Sequence, residues 1–165
     1  MSAIASFYLL DTSKLDDLKE NAEIIVKKSL FSKKLIDNYW EYLANNATEL
    51  KSLDSSGYVY ANLLVFLQDE KNIDLLTNQY DDTAKELVDK RGSSHFLFTH
   101  QQKKSFLPQL DPSLFSLIEI QNFNQEFSEE GDEETASLTL EAINLLHDNL
   151  GKVENESQVL LLIVG

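Results

Sequence analysis

The chain contains no cysteine, only two prolines and five glycines, and a single arginine among fourteen basic residues. Without cysteine there are no disulfides, thiolate metal sites or thiol nucleophiles. Three histidines and the carboxylates are left for metal or acid–base chemistry. Long apolar runs are also missing. Residues 63–67 and 159–164 are the longest after the amino terminus, far short of the roughly 20 residues a membrane-spanning helix needs. No Lys or Arg precedes the apolar stretch ending at Leu10, and Asp11 closes it early, so no secretory signal is expected and the cytoplasm is the expected location. Motifs with built-in chemistry are absent too: there is no G-x-S-x-G, G-x-G-x-x-G, P-loop or H-E-x-x-H, and no zinc-ligand spacing. No cofactor or metal is therefore expected.

What is present describes a folded domain. At 165 residues, 42% hydrophobic and 25% charged, the chain can bury roughly 70% of its unfolded surface around one core, so residues 1–165 read as one globular domain. The net charge of −14 is unevenly spread. Residues 1–104 hold 13 basic and 16 acidic side chains, whereas residues 105–165 hold one basic residue, Lys152, and 12 acidic ones. Such a surface repels phosphate backbones and anionic lipid, which argues against nucleic acid or a membrane as partner. A basic protein is the partner its sign favours.

Residues 3–10 are apolar at both parities and read as a strand buried on both faces. Ser13 and Asp16 have capping-box spacing for a helix with Leu15, Leu18, Ala22, Ile25 and Val26 inward. Ser32 reads as the cap of a second helix, with Leu35, Ile36, Tyr39, Trp40 and Leu43 on its inner face. Residues 58–67 are too uniformly apolar for periodicity to separate strand from helix. A helix capped by Asp54 or Ser55 is preferred because the run continues into polar residues. A helix follows from Asp81 to Arg91-Gly92, then a strand over Ser94–Thr99 and a short helix opened by the Thr99–Gln102 capping box. Asp111-Pro112 marks another helix start, with Leu114, Phe115, Leu117 and Ile118 inward, and residues 121–128 a further short helix. An acidic loop then leads into a last amphipathic helix ending near Gly151, and residues 159–164 close the chain as a buried strand beside residues 3–10. The expected fold is α+β, helix-rich, with a small sheet that includes both terminal strands.

The order of landmarks carries a resemblance. It runs through the Ile4–Leu10 strand, the Leu15/Leu18 helix, the Tyr39-Trp-Glu-Tyr-Leu43 segment, Phe96-Leu-Phe-Thr-His-Gln-Gln-Lys103, Leu110-Asp-Pro112 and the closing Val159–Val164 strand. This resembles the small bacterial YfbM-like family. The resemblance implies an α+β fold and brings no activity, cofactor or catalytic residue with it.

Two groups of residues carry the functional expectations. Arg91, His95 and His100 lie close together at a helix end and a strand-to-helix transition. A lone arginine offers a planar bidentate fork that lysine cannot copy, so a pocket around these three could take an anionic ligand or serve a small enzyme. On a strand, His95 and His100 should diverge, which argues against a joint metal site. Glu129, Glu130, Asp132, Glu133 and Glu134 form the acidic loop, whose spacing is not that of an EF-hand. The preferred reading is a non-enzymatic protein-binding module that recognises a basic partner through its acidic C-terminal third, in an inhibitor or immunity-type role. A homo-oligomer built on the aromatic helix is the third option.

Overall fold

The computed structural model describes residues 3–28, 32–54 and 57–165. Strand β1 (Ala5–Asp11) lies between β4 (Ala47–Leu50) and β6 (Gln158–Val164), and β6 in turn pairs with β5 (Ser94–Thr99). The sheet order is therefore β4-β1-β6-β5, with every neighbouring pair antiparallel. Both terminal strands sit at its centre, as their two-sided apolar pattern requires, with Tyr8 opposite Leu161 and Leu10 opposite Val159.

Alternation along the strands feeds two cores. Ala5, Phe7, Phe98, Leu160 and Leu162 face one layer, made of α3 (Val59–Lys71), α5 (His100–Phe106), α6 (Leu117–Ser128) and α7 (Glu133–Gly151). Tyr8, Leu10, Leu97, Leu161 and Ile163 face the other, made of α1 (Leu15–Asn21), α2 (Tyr39–Asn46) and α4 (Asp81–Arg91). The protein is a helix-rich α+β domain with a small antiparallel sheet between helical layers.

Several expected elements stand where the sequence placed them. Of residues 58–67, Tyr58 precedes the helix and 59–67 are helical within α3, whose six buried side chains fill the larger core. Gly92 ends α4 at φ 71°, a conformation that glycine adopts without cost. The Thr99–Gln102 capping box forms in full. The end of α7 is held by Lys103, whose Nζ donates to the carbonyls of Gly151 and Val153 at 2.7 Å.

Other expectations need correction. Asp11 accepts from the Ser13 amide at 2.8 Å and caps a 3-10 turn, Thr12–Lys14, that leads into α1; α1 itself has no side-chain cap, and Ser13 and Asp16 form no box. Ile25 and Val26 are not on that helix. They belong to β2 (Ile25–Lys28), which pairs with β3 (Lys33–Ile36) in a separate two-stranded ribbon. Three successive β-branched residues, Ile24-Ile25-Val26, favour extended backbone over continuation of the helix. The second helix begins only at Tyr39, so Leu35 lies on the ribbon, 62% exposed, and Trp40 is half exposed. The cap expected at Asp54 or Ser55 is not used by Asp54, and Ser55 lies outside the described residues. Gly57 instead brings the chain against β1, donating its N–H to the Ala3 carbonyl at 2.8 Å, where a Cβ would meet the Ala5 nitrogen. Asp111-Pro112 opens only a 3-10 turn. Leu114 and Ile118 point to solvent, and α6 starts at Leu117 under a Ser116–Glu119 box.

Candidate functional site

Arg91 closes α4 and extends across the smaller core layer. Its guanidinium donates two near-parallel bonds to Asp37, Nη1 to Oδ1 at 2.9 Å and Nη2 to Oδ2 at 2.8 Å, and stands 4.6 Å from the centroid of the Tyr39 ring. Its side chain is 8% exposed. The bonds from Arg91 hold the Asp37 carboxyl below the usual carboxylate range. Asp37 also accepts the Tyr39 amide, so one carboxylate ties the base of the β2–β3 ribbon to the start of α2. Lys90, next in line, donates to the Lys19 carbonyl at 2.8 Å. The basic end of α4 thus answers the carbonyl end of α1.

His95 completes this group. Nδ1 lies 2.9 Å from the Ser93 carbonyl, which can only accept, so Nδ1 carries the proton and Nε2 accepts from the Tyr39 hydroxyl at 2.8 Å. Burial pushes the His95 pKa down and the Tyr39 pKa up, which keeps both neutral. Arg91 and His95 are therefore brought together through Tyr39, and both are committed to protein partners.

His100 goes elsewhere. It opens α5 beyond the end of β5 and lines a cleft of about 410 Å³ with Tyr80, Asn78, Gln101, Gln102 and Gln158. Its Nδ1 is buried and has no hydrogen-bond partner. Five amides and one carboxylate, Glu156, stand in its wall, and several of the amides are already engaged. Asn78 donates to the Leu97 carbonyl at 2.7 Å, and Gln102 closes the Thr99 box. The two histidines part because His95 lies within β5, whereas His100 is the first residue of α5.

The five acids of the loop gather at the α6–α7 corner, all exposed. Glu129 ends α6 with φ 61°, and the Glu129 and Glu130 amides both turn back to the Asn124 carbonyl. Gly131 then passes so close to α6 that a Cβ would meet the Gln125 side chain, which fixes the turn. Asp132 caps α7, accepting from the Thr135 amide and hydroxyl at 2.8 Å each; those bonds hold its carboxyl below the usual range. Glu133 and Glu134 follow in the first turn, where negative charge suits the helix dipole. Glu129, Glu130, Glu133 and Glu134 take part in no salt bridge among those found between described residues.

Beside this corner lies a cleft of about 310 Å³ between α3, α6 and α7, lined by Tyr58, Asn62, Asn124, Glu130, Asp132 and Thr135. Tyr58 is 59% exposed and Asn124 only 3%. The Nδ2 of Asn124 has no hydrogen-bond partner, an unusual state for a buried amide. Sequence reasoning did not single out Asn124. The available signal was its position four residues after Ile120, on the inner face of α6, where a polar side chain needs a partner.

Among the described residues no group of three or more His, Asp or Glu side chains is placed to hold a metal ion. No helix among them is long and apolar enough to cross a membrane. Comparison with protein-family models, curated proteins and solved structures finds no match to this chain.

Proposed function

We propose that the protein is a non-enzymatic protein-binding module that takes a basic partner on the acidic α6–α7 corner, in an inhibitor or immunity-type role. The observation that carries this reading is the cleft beside the corner. There the Glu130 and Asp132 carboxylates stand with an exposed Tyr58 ring and the unpaired Asn124 amide. A lysine or arginine side chain entering it meets two carboxylates and an aromatic ring, and a partner carbonyl can accept from Asn124. Glu130 in the cleft, with Glu129, Glu133 and Glu134 on the adjoining corner, steers a basic surface towards it.

The test is capture of proteins on the tagged native chain at about 50 mM and about 500 mM salt, beside a variant with Glu129, Glu130, Glu133 and Glu134 changed to Gln. Asp132 is left intact because it caps α7. A basic protein retained at low salt, released at high salt and absent from the variant supports the reading. Retention that the four substitutions leave unchanged contradicts it.

A second reading is favoured by one observation, the unpaired buried Nδ1 of His100 in the largest of the clefts described. A small polar ligand that supplies a hydrogen-bond partner there would make the His100 cleft a binding site. Its signature is a ligand-induced shift of the His100 ring resonances, with those of His95 unmoved.

A further inference from the structure

Among the described residues the β2–β3 ribbon is a sheet of its own, separate from the four-stranded one. All four residues of β2 and three of the four in β3 are exposed, so the ribbon stands off the body as an arm. Its described residues, 24–28 and 32–36, carry Lys27, Lys28, Lys33 and Lys34 and no acid; the rest of the chain holds the other 10 basic residues and all 28 acidic ones. The register sets Lys27 opposite Lys34 and Lys28 opposite Lys33, two like-charge pairs that work against the pairing. Ile24, Ile25, Val26 and Leu35 add exposed apolar surface at its base. An isolated two-stranded ribbon is marginal in water even without such repulsion. Its lysines also oppose edge-to-edge pairing with another copy of itself.

We infer that the arm docks on the acidic α6–α7 corner of a second copy of this chain. Charge complementarity names the occupant: Glu129, Glu130, Glu133 and Glu134 are exposed, unpaired among the described residues, and opposite in sign to the arm. Docking there relieves both the lysine repulsion on the arm and the glutamate repulsion at the corner. The arm leaves from the α1/α2/α4 layer, where Arg91 fastens its base through Asp37, whereas the corner belongs to the α3/α6/α7 layer on the other face of the sheet. The contact therefore pairs two different surfaces, and association closes at the dimer where two copies exchange arms about a two-fold axis and proceeds past it where they do not. This inference rests on the corner being a surface for basic polypeptide, and it names one such polypeptide.

Sedimentation of the full chain at about 100 μM, in about 50 mM and about 500 mM salt, tests it against three variants. One has the four arm lysines changed to Glu. The second has Glu129, Glu130, Glu133 and Glu134 changed to Lys, and the third combines both sets. The native chain is expected to associate at low salt and to fall to monomer at high salt. Each single set should weaken association at least about tenfold, and the combined variant should recover it, because the two signs are exchanged together. The arm set touches no core residue, so unchanged near-ultraviolet circular dichroism verifies that the body is intact. A native chain that stays monomeric at low salt overturns the inference, as does association that survives reversal of the arm. Association lost with the arm but kept when the corner is reversed also overturns it, since the arm then docks elsewhere. Failure here while the corner still captures a basic protein removes the arm's role and leaves the proposed function standing. Capture lost from neither corner variant removes the proposed function itself.

Discussion

The Arg91 cluster and the α6–α7 corner handle charge in opposite ways. In the first, the lone arginine meets a carboxylate through two bonds and an aromatic face, and His95 and Tyr39 satisfy each other beside it. In the second, four glutamates face water with no cation among the salt bridges of the described residues, next to a cleft with an unpaired amide. Charge that is already satisfied inside the fold maintains the fold, whereas charge left open at its surface is what a partner can use. Arg91 stood out in the sequence because it is unique, and the structure commits it to Asp37.

The largest effect should come from Arg91→Ala. It leaves Asp37 and the base of the ribbon without their partner, and about 2–4 kcal/mol of stability should be lost, measured by denaturant unfolding. Arg91→Lys should recover less than half of that, because lysine supplies one point charge in place of the fork. Neither change should alter salt-sensitive capture by the corner in the fraction that stays folded. Changing Glu129, Glu130, Glu133 and Glu134 to Gln should do the reverse, abolishing capture while the melting temperature stays within about 2 °C of the native value.

The His95 pair gives a smaller effect with a defined sign. Its pKa is lowered in the folded state, so between the folded and unfolded values the unfolded chain binds more protons. The stability it contributes is complete above the unfolded value of about 6.5 and falls as pH drops below it. Thermal unfolding followed from pH 8 towards pH 5 should show this loss, and the paired change His95→Leu with Tyr39→Phe should flatten the profile in that window. The smallest effect is expected at Glu129, whose left-handed backbone favours glycine. Glu129→Gly should stabilise the chain by about 0.5–1 kcal/mol in the same denaturant measurement.

Legibility in the sequence followed the strength of local signals. The two central strands were visible because they are apolar at both parities, and α4, α5 and α7 because Gly92, the Thr99–Gln102 box and the acidic first turn mark their ends. The ribbon was misread because Ile25, Val26, Leu35 and Ile36 fall at helical spacing from Leu18 and Tyr39, and their β-branched run was the competing signal. Strand β4 is four residues at the sheet edge, two of them exposed polar residues, and leaves no pattern. The Arg91–Asp37 bond spans 54 residues, and no spacing rule reaches that far. The acidic corner was legible as charge. The cleft beside it was not, because Tyr58, Asn124 and Thr135 meet only when α3, α6 and α7 pack.

The difference between a satisfied cluster and an open one is tested most directly by following the backbone and side-chain amides of the native chain in a nuclear magnetic resonance titration with a short lysine- and arginine-rich peptide at low salt. Saturable shifts should appear first at Tyr58, Asn62, the Asn124 side-chain amide and residues 129–135, while Arg91 and His95 stay silent. Shifts scattered evenly over every acidic surface, or a response centred on Arg91 and His95, would contradict a partner site at the α6–α7 corner.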